Sequence, residues 1–238
     1  MPISFSTVFY DLWQFVKRPS LEHLSEQWKE SPAQVLYYVL LIDFLLMIPL
    51  SAFLGLIGID DMDHKIEALS DDPMMLAAMA VVLAPIMEEA VFRLPMKYSY
   101  VRIGIAIGIA LTILTTMVES ELMAGAITAL VLLSVFLFQF INERQDNALN
   151  AQLEPLWVNH FYIPFWFFTI AFALLHLTNF GAAFPLYLAP FLVLPQFVLG
   201  IIIGYIRTGY GFIYAVLFHA VHNGILVGLA TMATNVSS

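Results

Sequence analysis

Three ionisable residues stand close together inside an apolar stretch of the sequence, PIMEEAVFRLP. Glu89 and Arg93 are four residues apart, so in a helix they share a face and can form an ion pair. Glu88 is rotated by about 100° from its neighbour and projects in another direction. The spacing therefore predicts unequal roles, in which Arg93 holds Glu89 ionised while Glu88 faces a cavity. A carboxylate in that position is suited to act as a general base that deprotonates water.

Histidine and amide side chains lie in two later apolar stretches, FALLH and FHAVHN. His219 and Asn223 are four residues apart, so both can point at one spot between helices. Two hydrogen-bond donors that converge in a dry site stabilise a developing oxyanion. His176 is placed to orient the water or to shuttle its proton. Phe172 lies one turn earlier on the same face, as a wall of the pocket. Together with the two glutamates, these residues predict a hydrolytic site.

Each of these residues also has a structural interpretation when it is considered alone. A glutamate–arginine pair can clamp a membrane helix, a single histidine can be a hydrogen-bonded packing residue, and asparagine often joins neighbouring helices. His222 is offset from His219 and Asn223 and is expected to pack or to support them. Asp43 is isolated, which predicts a hydrogen bond between helices or a protonated acid. The functional interpretation rests on the joint occurrence of acids, histidines and an amide at membrane depth.

The composition of the chain indicates an integral membrane protein. Of its 238 residues, 61% are hydrophobic and 11% are charged, and the mean hydropathy is +0.86. Soluble domains average about 45–50% apolar and about 25% charged residues. The net charge of −9 comes without any basic run, so no nucleic-acid partner is expected. There are no cysteines, and therefore no disulfide, thiol nucleophile or cysteine metal site.

Seven apolar runs have about the 20 residues that cross a bilayer as a helix. The chain is therefore predicted to be an all-α, polytopic transmembrane helix bundle. The spans are Gln34–Ile57, Pro73–Met96, Arg102–Val118, Leu122–Ile141, Tyr162–Phe180, Leu186–Ile206 and Phe212–Thr234. If the N-terminus is cytoplasmic, every inner connection carries a lysine or arginine, and only Lys65, in the acidic stretch 59–73, falls outside. This predicts a multi-pass protein of the plasma membrane with a cytoplasmic N-terminus.

Two further segments are predicted to lie on the inner side of the membrane. Residues 1–33 are predicted to form a segment separate from the transmembrane bundle at 34–238. Within this segment, apolar residues recur at helical spacing from Phe5 to Val16. This pattern predicts one or two amphipathic helices, which either lie in the membrane interface or pack under the bundle. The segment Asn142–Asn159 is polar, contains a proline and is predicted to be an inner loop. The N-terminus lacks the basic start and the cleavage site of a signal peptide.

The three polar clusters, taken in order, resemble the motifs of the CPBP intramembrane proteases. This is the family of CAAX-type endopeptidases and of bacteriocin-processing and abortive-infection proteins. The matches are EExxxR at 88–93, FxxxH at 172–176 and HxxxN at 219–223. The run GIIIGYIRTGYGFIYAVLFHAVHN also resembles the family's approach to its last motif. The resemblance covers about residues 73–230, and each of its motifs lies in an apolar helix.

The resemblance implies a glutamic intramembrane protease that needs no cofactor. By that resemblance, Glu88 activates water with the help of His176. His219 and Asn223 form the oxyanion site, and Glu89 and Arg93 support and orient it. The implied partners are the lipid bilayer and a membrane-associated peptide or protein substrate. A zinc-dependent alternative stays open, because Glu88, His176 and His219 could supply three ligands.

The sequence departs from the family's pattern in two ways. Leu94 and Pro95 follow the arginine where many members have glycine, and Pro95 is expected to end or kink the helix. Two additional spans separate the EExxxR motif from the FxxxH motif, and this even number preserves the antiparallel sense of the helices. The inserted hairpin keeps open the hypothesis of a non-proteolytic immunity or membrane partner protein. A proton-coupled carrier is the third hypothesis, against which the lack of an inverted repeat counts.

Overall fold

The computed structural model of the chain describes residues 2–21, 23–56, 73–116, 121–144, 148–180 and 185–237. Within these ranges the fold is all-α, as predicted, with ten α-helices of six or more residues and two shorter ones. The helices are α1 (Phe5–Lys17), α2 (Glu26–Lys29), α3 (Pro32–Leu56), α4 (Pro73–Ala78), α5 (Ala84–Phe92), α6 (Tyr100–Thr116), α7 (Glu121–Arg144), α8 (Ala148–Asn159), α9 (Tyr162–Leu175), α10 (Ala189–Leu192), α11 (Leu194–Tyr210) and α12 (Phe212–Ser237).

Helices long and apolar enough to cross a membrane suggest a membrane protein. In the described part of the chain there are four, each at a predicted span: Pro32–Leu56, Tyr162–Asn179, Leu186–Tyr210 and Phe212–Met232. The other three predicted spans are shorter or interrupted. Helix α6 has 17 residues, and the apolar part of α7 runs from Thr128 to Asn142. The acidic stretch with Lys65, which the prediction of orientation uses, lies outside the described residues.

The helix that carries the two glutamates is interrupted twice. A π-helical turn at Met79–Leu83 separates α4 from α5, and the Ala84 amide donates to the Met79 carbonyl five residues back. In that register the next carbonyl, of Ala80, would face Pro85, which has no N–H to donate. The second interruption is a 3₁₀ turn at Leu94–Met96. The expectation that Pro95 ends the helix is confirmed, because α5 stops at Phe92, before this turn.

The N-terminal helix α1 packs on the bundle through one face. Val8, Leu12 and Phe15 are buried, and the Phe15 ring packs edge-on against Phe165 of α9 and Tyr205 of α11. Packing under the bundle, one of the two predicted alternatives, is therefore what the structure shows for this face. Several aromatic residues of the predicted stripe lie on the opposite, exposed side: Phe5, Phe9 and Trp13.

The prediction of an inner loop at Asn142–Asn159 is wrong for the residues that the structure describes, because residues 142–144 belong to α7 and Ala148–Asn159 forms α8. Pro155 lies inside this helix, where it removes the N–H that would bond the Ala151 carbonyl. Ala151 is exposed, so water can satisfy that carbonyl and the cost of the proline is limited. The Trp157 indole donates to the Met96 carbonyl at 3.1 Å, which fixes α8 against the end of the α5 segment.

Glycines set the position of α11 between the helices that carry the predicted site. Gly200 and Gly204 form a GxxxG pattern, which lets helix backbones approach closely. A Cβ atom at Gly204 would lie 2.7 Å from Cε2 of Phe165, so α9 and α11 could not approach this closely with a larger residue. Gly211, with φ of 103°, is the single residue between α11 and α12, and its backbone conformation favours glycine. These glycines therefore set how closely α11 packs on α9 and how the chain turns from α11 into α12.

Candidate active site

Side chains from α5, α12 and the end of α9 meet at Glu88. The Glu88 Oε2 atom lies 3.9 Å from Nε2 of His176 and 3.9 Å from Nε2 of His219. This oxygen is buried and makes no hydrogen bond within the described part of the chain. A separation of 3.9 Å is too long for a direct hydrogen bond and suits a bridging water. The Glu88 side chain as a whole is 21% exposed, so part of it reaches the protein surface although Oε2 does not.

Hydrogen bonds on the far side of each imidazole set which nitrogen faces Glu88. His176 bonds through Nδ1 to the Phe172 carbonyl at 2.9 Å, one turn back in α9. A carbonyl only accepts, so Nδ1 carries the proton and Nε2 of the neutral ring is an acceptor. His219 bonds through Nδ1 to Oε1 of Glu89 at 2.9 Å. The two Nε2 atoms are therefore both directed at Glu88, and their rings are held in place from behind.

Glu89 and Arg93 form a fully buried ion pair behind His219. The Glu89 Oε2 to Arg93 Nε distance is 3.4 Å, and both side chains are 0% exposed. The Arg93 guanidinium lies over the Phe172 ring, with Cζ 3.9 Å from the ring centroid, and donates to the Gly200 carbonyl at 3.4 Å. Arg207 donates from Nε to the Arg93 backbone carbonyl at 2.8 Å. Phe172 thus packs on the buried arginine, and its ring centroid lies 4.8 Å from that of His176.

We call Glu88, Glu89, Arg93, His176 and His219 the Glu88 cluster. It contains two carboxyl groups, one guanidinium and two imidazoles. The cluster thus combines a fixed ion pair with a carboxylate and two imidazoles that can exchange a proton, which is the equipment of general acid–base catalysis.

Asn223 lies one turn after His219 in α12, but its amide makes a different contact. It donates from Nδ2 to the Ala80 carbonyl at 2.8 Å. This is the carbonyl that would face Pro85 in the π turn, so Asn223 supplies the donor that the proline lacks. The sequence alone did not indicate this contact, because in a regular α-helix Pro85 would leave the Val81 carbonyl, not the Ala80 carbonyl, without a donor. The convergence of His219 and Asn223 on one oxyanion therefore stays a prediction, because the contact that the structure gives to the asparagine amide is a structural one.

A second buried acid–histidine pair joins α3 to α12. Asp43 Oδ2 and His222 Nδ1 lie 2.5 Å apart, and Asp43 is 0% exposed. The Phe44 ring stacks on the His222 imidazole with 5.4 Å between centroids. A hydrogen bond between helices was one of the predictions for Asp43, but the sequence did not indicate that His222 is its partner. The pair fixes the helix that carries His219.

The geometry of the cluster does not match a zinc site. Zinc bonds of 2.0–2.2 Å to nitrogen and oxygen place two ligands of a tetrahedral ion about 3.3–3.6 Å apart. Glu88 lies 3.9 Å from both His176 and His219. Among the residues that the structure describes, no three histidine, aspartate or glutamate side chains are arranged to hold a metal ion.

Comparison with protein-family models, with curated proteins and with solved structures gives no match to this chain. The resemblance to CPBP proteases therefore rests on the three motifs. The structure brings five of the predicted residues together with Phe172, and it places Asn223 at the π turn. Two residues that sequence reasoning did not single out also contact the site: Gly200 accepts from the Arg93 side chain and Arg207 donates to its backbone.

Proposed function

We propose that this chain is an intramembrane endopeptidase that hydrolyses a peptide bond by glutamate-activated water. The observation that carries the proposal is the buried Glu88 Oε2, which has no hydrogen-bond partner in the described chain and lies between two imidazole nitrogens. Carboxylates at membrane depth are costly, and functional sites retain them. Both imidazoles are oriented by hydrogen bonds from behind, as expected of groups that must keep one geometry during catalysis.

The reaction follows from the position of each group. Glu88 takes a proton from a water that it shares with Nε2 of His176, and the water oxygen bonds to the carbonyl carbon of the substrate. The carbonyl oxygen becomes an oxyanion, to which Nε2 of His219 donates when that atom carries a proton. The proton on Glu88 then passes to the peptide nitrogen, and the C–N bond breaks to leave a carboxylic acid and an amine. Asn223 has a second amide hydrogen that can join His219 at the oxyanion.

The ion pair behind the site would hold His219 in place. Glu89 accepts a hydrogen bond from Nδ1 of His219. It would therefore fix the orientation and the tautomer of the ring, as the aspartate does for the histidine of a Ser-His-Asp triad. Arg93 would supply the positive charge that pairs with Glu89 in a buried environment. These two residues would be positioning residues, whereas Glu88, His176 and His219 would contact the reacting atoms.

The membrane arrangement that we propose has about seven crossings and a cytoplasmic N-terminus in the plasma membrane. Four helices have the length of a full span. The α4–α5 segment, α6 and α7 would supply the other three. A helix interrupted at membrane depth is tolerated where protein groups satisfy its freed backbone atoms, as Asn223 does at the π turn. The exposed aromatic face of α1 would lie in the inner interface.

The test compares the wild-type chain with Glu88→Gln in membranes of the cell that encodes it, incubated in ¹⁸O-labelled water. Hydrolysis by water places one labelled oxygen in each new carboxyl terminus, and mass spectrometry detects the labelled termini. The wild type is expected to generate labelled termini of membrane-associated proteins that are missing with Glu88→Gln. Identical sets of termini in the two membranes would overturn the proposal. Folding of the variant is checked by its thermal unfolding in detergent.

A second candidate function is binding without proteolysis, as an immunity or membrane partner protein. The engagement of Asn223 by the Ala80 carbonyl favours it, since one of the two proposed oxyanion donors already has a structural partner. In that case Glu88→Gln would leave the cellular phenotype unchanged. The same labelled-water experiment would then show no difference between the two membranes.

A further inference from the structure

A large apolar groove lies away from the Glu88 cluster, between α6, α7 and the turn from α8 to α9. Its volume is about 930 Å³, which is at the upper end of the roughly 300–1,000 Å³ of ligand sites. Ile107 of α6, Val131 of α7 and Ile163 of α9 are among its lining residues. The helices that form one wall, α6 and α7, are the hairpin that separates the EExxxR and FxxxH motifs.

One end of this groove is amphipathic. Tyr98, Tyr100, Trp157 and His160 line it there, whereas the lining along the helices is mainly aliphatic and phenylalanine. Aromatic side chains with a polar tip are typical of the boundary between lipid and water. From Tyr100 to Ile107 the groove follows α6 for about 10 Å, at 1.5 Å per residue. It therefore runs from the boundary into the apolar layer of a membrane.

The amphipathic end is also positively charged. Lys97 adjoins Tyr98 in the sequence, and Arg102 donates to the Lys97 carbonyl at 3.4 Å. Tyr98 lines a second, more polar cavity of about 530 Å³ together with Lys97, Arg207 and Glu154. Among its lining residues this cavity thus has two cations, Lys97 and Arg207, and one carboxylate, Glu154. Burial raises the pKa of Tyr98, with further contributions from Glu154 and Tyr100, so its phenol stays a hydrogen-bond donor.

We propose that the groove binds one anionic phospholipid, with its acyl chains along α6, α7 and α9 and its phosphate at Lys97 and Arg102. The apolar length fits hydrocarbon, the aromatic residues fit the glycerol region, and the cations fit the phosphate. The proposal rests on the membrane location put forward above, but not on peptide hydrolysis. A bound lipid would also fill the space between the inserted hairpin and α9, and so hold the hairpin against the helix that carries His176.

The experiment uses native mass spectrometry of the full chain in detergent, titrated with phosphatidylglycerol or with phosphatidylcholine of the same acyl chains. The expected result is one tightly bound phosphatidylglycerol per chain, with affinity about 30-fold above that for phosphatidylcholine, the combined contribution of the two cations at the headgroup. The double variant Lys97→Gln/Arg102→Gln is expected to lose this preference while it still binds both lipids. No cleavage is measured, so failure here leaves the proposed protease activity untouched.

Matched substitutions on α9 test the location. Ile163→Trp fills the groove and is expected to weaken phosphatidylglycerol binding by about tenfold, from the cost of overpacking. Ile170→Trp is the control, because Ile170 is similarly exposed on the same helix, seven residues further, outside the groove. Equal affinity for the two lipids in the wild type, or equal binding by both tryptophan variants, would overturn the proposal. So would a dimer that Ile163→Trp dissociates, since a second copy of the chain would then occupy the groove.

Discussion

Two neighbouring glutamates with different surroundings should respond differently to the same substitution, one in the stability of the protein and the other in catalysis. Glu89 is 0% exposed, accepts from His219 and pairs with a buried arginine. Glu88 is 21% exposed, and its Oε2 makes no hydrogen bond within the described chain. Glutamine keeps the size of glutamate and removes its charge. We therefore expect Glu89→Gln to lower the stability of the protein and Glu88→Gln to abolish catalysis with little effect on stability.

The magnitudes follow from what each carboxylate neutralises. Removal of one partner from a buried ion pair leaves the other charge uncompensated and costs about 3–5 kcal/mol. For a chain of this size each kcal/mol lowers the melting temperature by about 2–4 °C. Glu89→Gln should therefore melt roughly 6–20 °C below the wild type, by the same conversion. Glu88 leaves behind two imidazoles at 3.9 Å rather than a paired cation, so Glu88→Gln should stay within about 0.5 kcal/mol of the wild type.

Thermal unfolding of both variants in the same detergent, alongside the labelled-water assay, measures the two effects separately. Arg93→Met provides a control, because it breaks the same ion pair from the other side and should destabilise as Glu89→Gln does. The double variant Glu89→Gln/Arg93→Met should recover part of the loss, since no unpaired charge remains. A Glu89→Gln variant with wild-type stability, or a Glu88→Gln variant that is equally destabilised, would refute the division of roles.

The remaining predictions concern the contacts around the cluster. Asn223→Ala should cost about 1–3 kcal/mol, because it leaves the π-turn carbonyl without a donor, and Pro85→Ala in the same chain should restore an N–H and recover most of the loss. Gly200→Ala should cost about 1–3 kcal/mol by overpacking, since its methyl group would lie 3.1 Å from the ring below the buried arginine. His222→Ala should cost about 3–5 kcal/mol by leaving Asp43 unpaired, whereas Asp43→Leu/His222→Leu should be close to neutral.

Each of these predictions is measured by thermal unfolding and has its own control. A methyl group at Gly228 would meet no heavy atom of the described chain within 4 Å, so Gly228→Ala should stabilise α12 rather than disturb it. A Pro85→Ala substitution that fails to rescue Asn223→Ala would show that the asparagine contributes through another contact. If the double leucine variant is as unstable as His222→Ala, the pair at Asp43 stabilises the bundle by more than charge compensation.

Features that depend on local spacing could be predicted from the sequence. The apolar runs predicted an all-α protein with membrane-length helices, because lipid leaves the backbone only that way to satisfy its polar groups. The i, i+4 spacing predicted that Glu89 faces Arg93 and that Glu88 points elsewhere, and the structure places the three residues in this way. Pro95 likewise marked the end of α5, because its missing N–H and fixed φ oppose continuation of a helix.

Which helices meet, and at what distance, depends on the packing of the whole bundle. His219 contacts Glu89, which is 130 residues away in the chain. The HxxxN spacing sets His219 apart from His222, but nothing in the local pattern of α12 indicates that His219 contacts Glu89 or that His222 bonds Asp43. The choice depends on how closely α11 packs on α9 and on the one-residue turn at Gly211. Side-chain contacts between helices change with rotations and shifts of the whole helix, and only the packed bundle sets those.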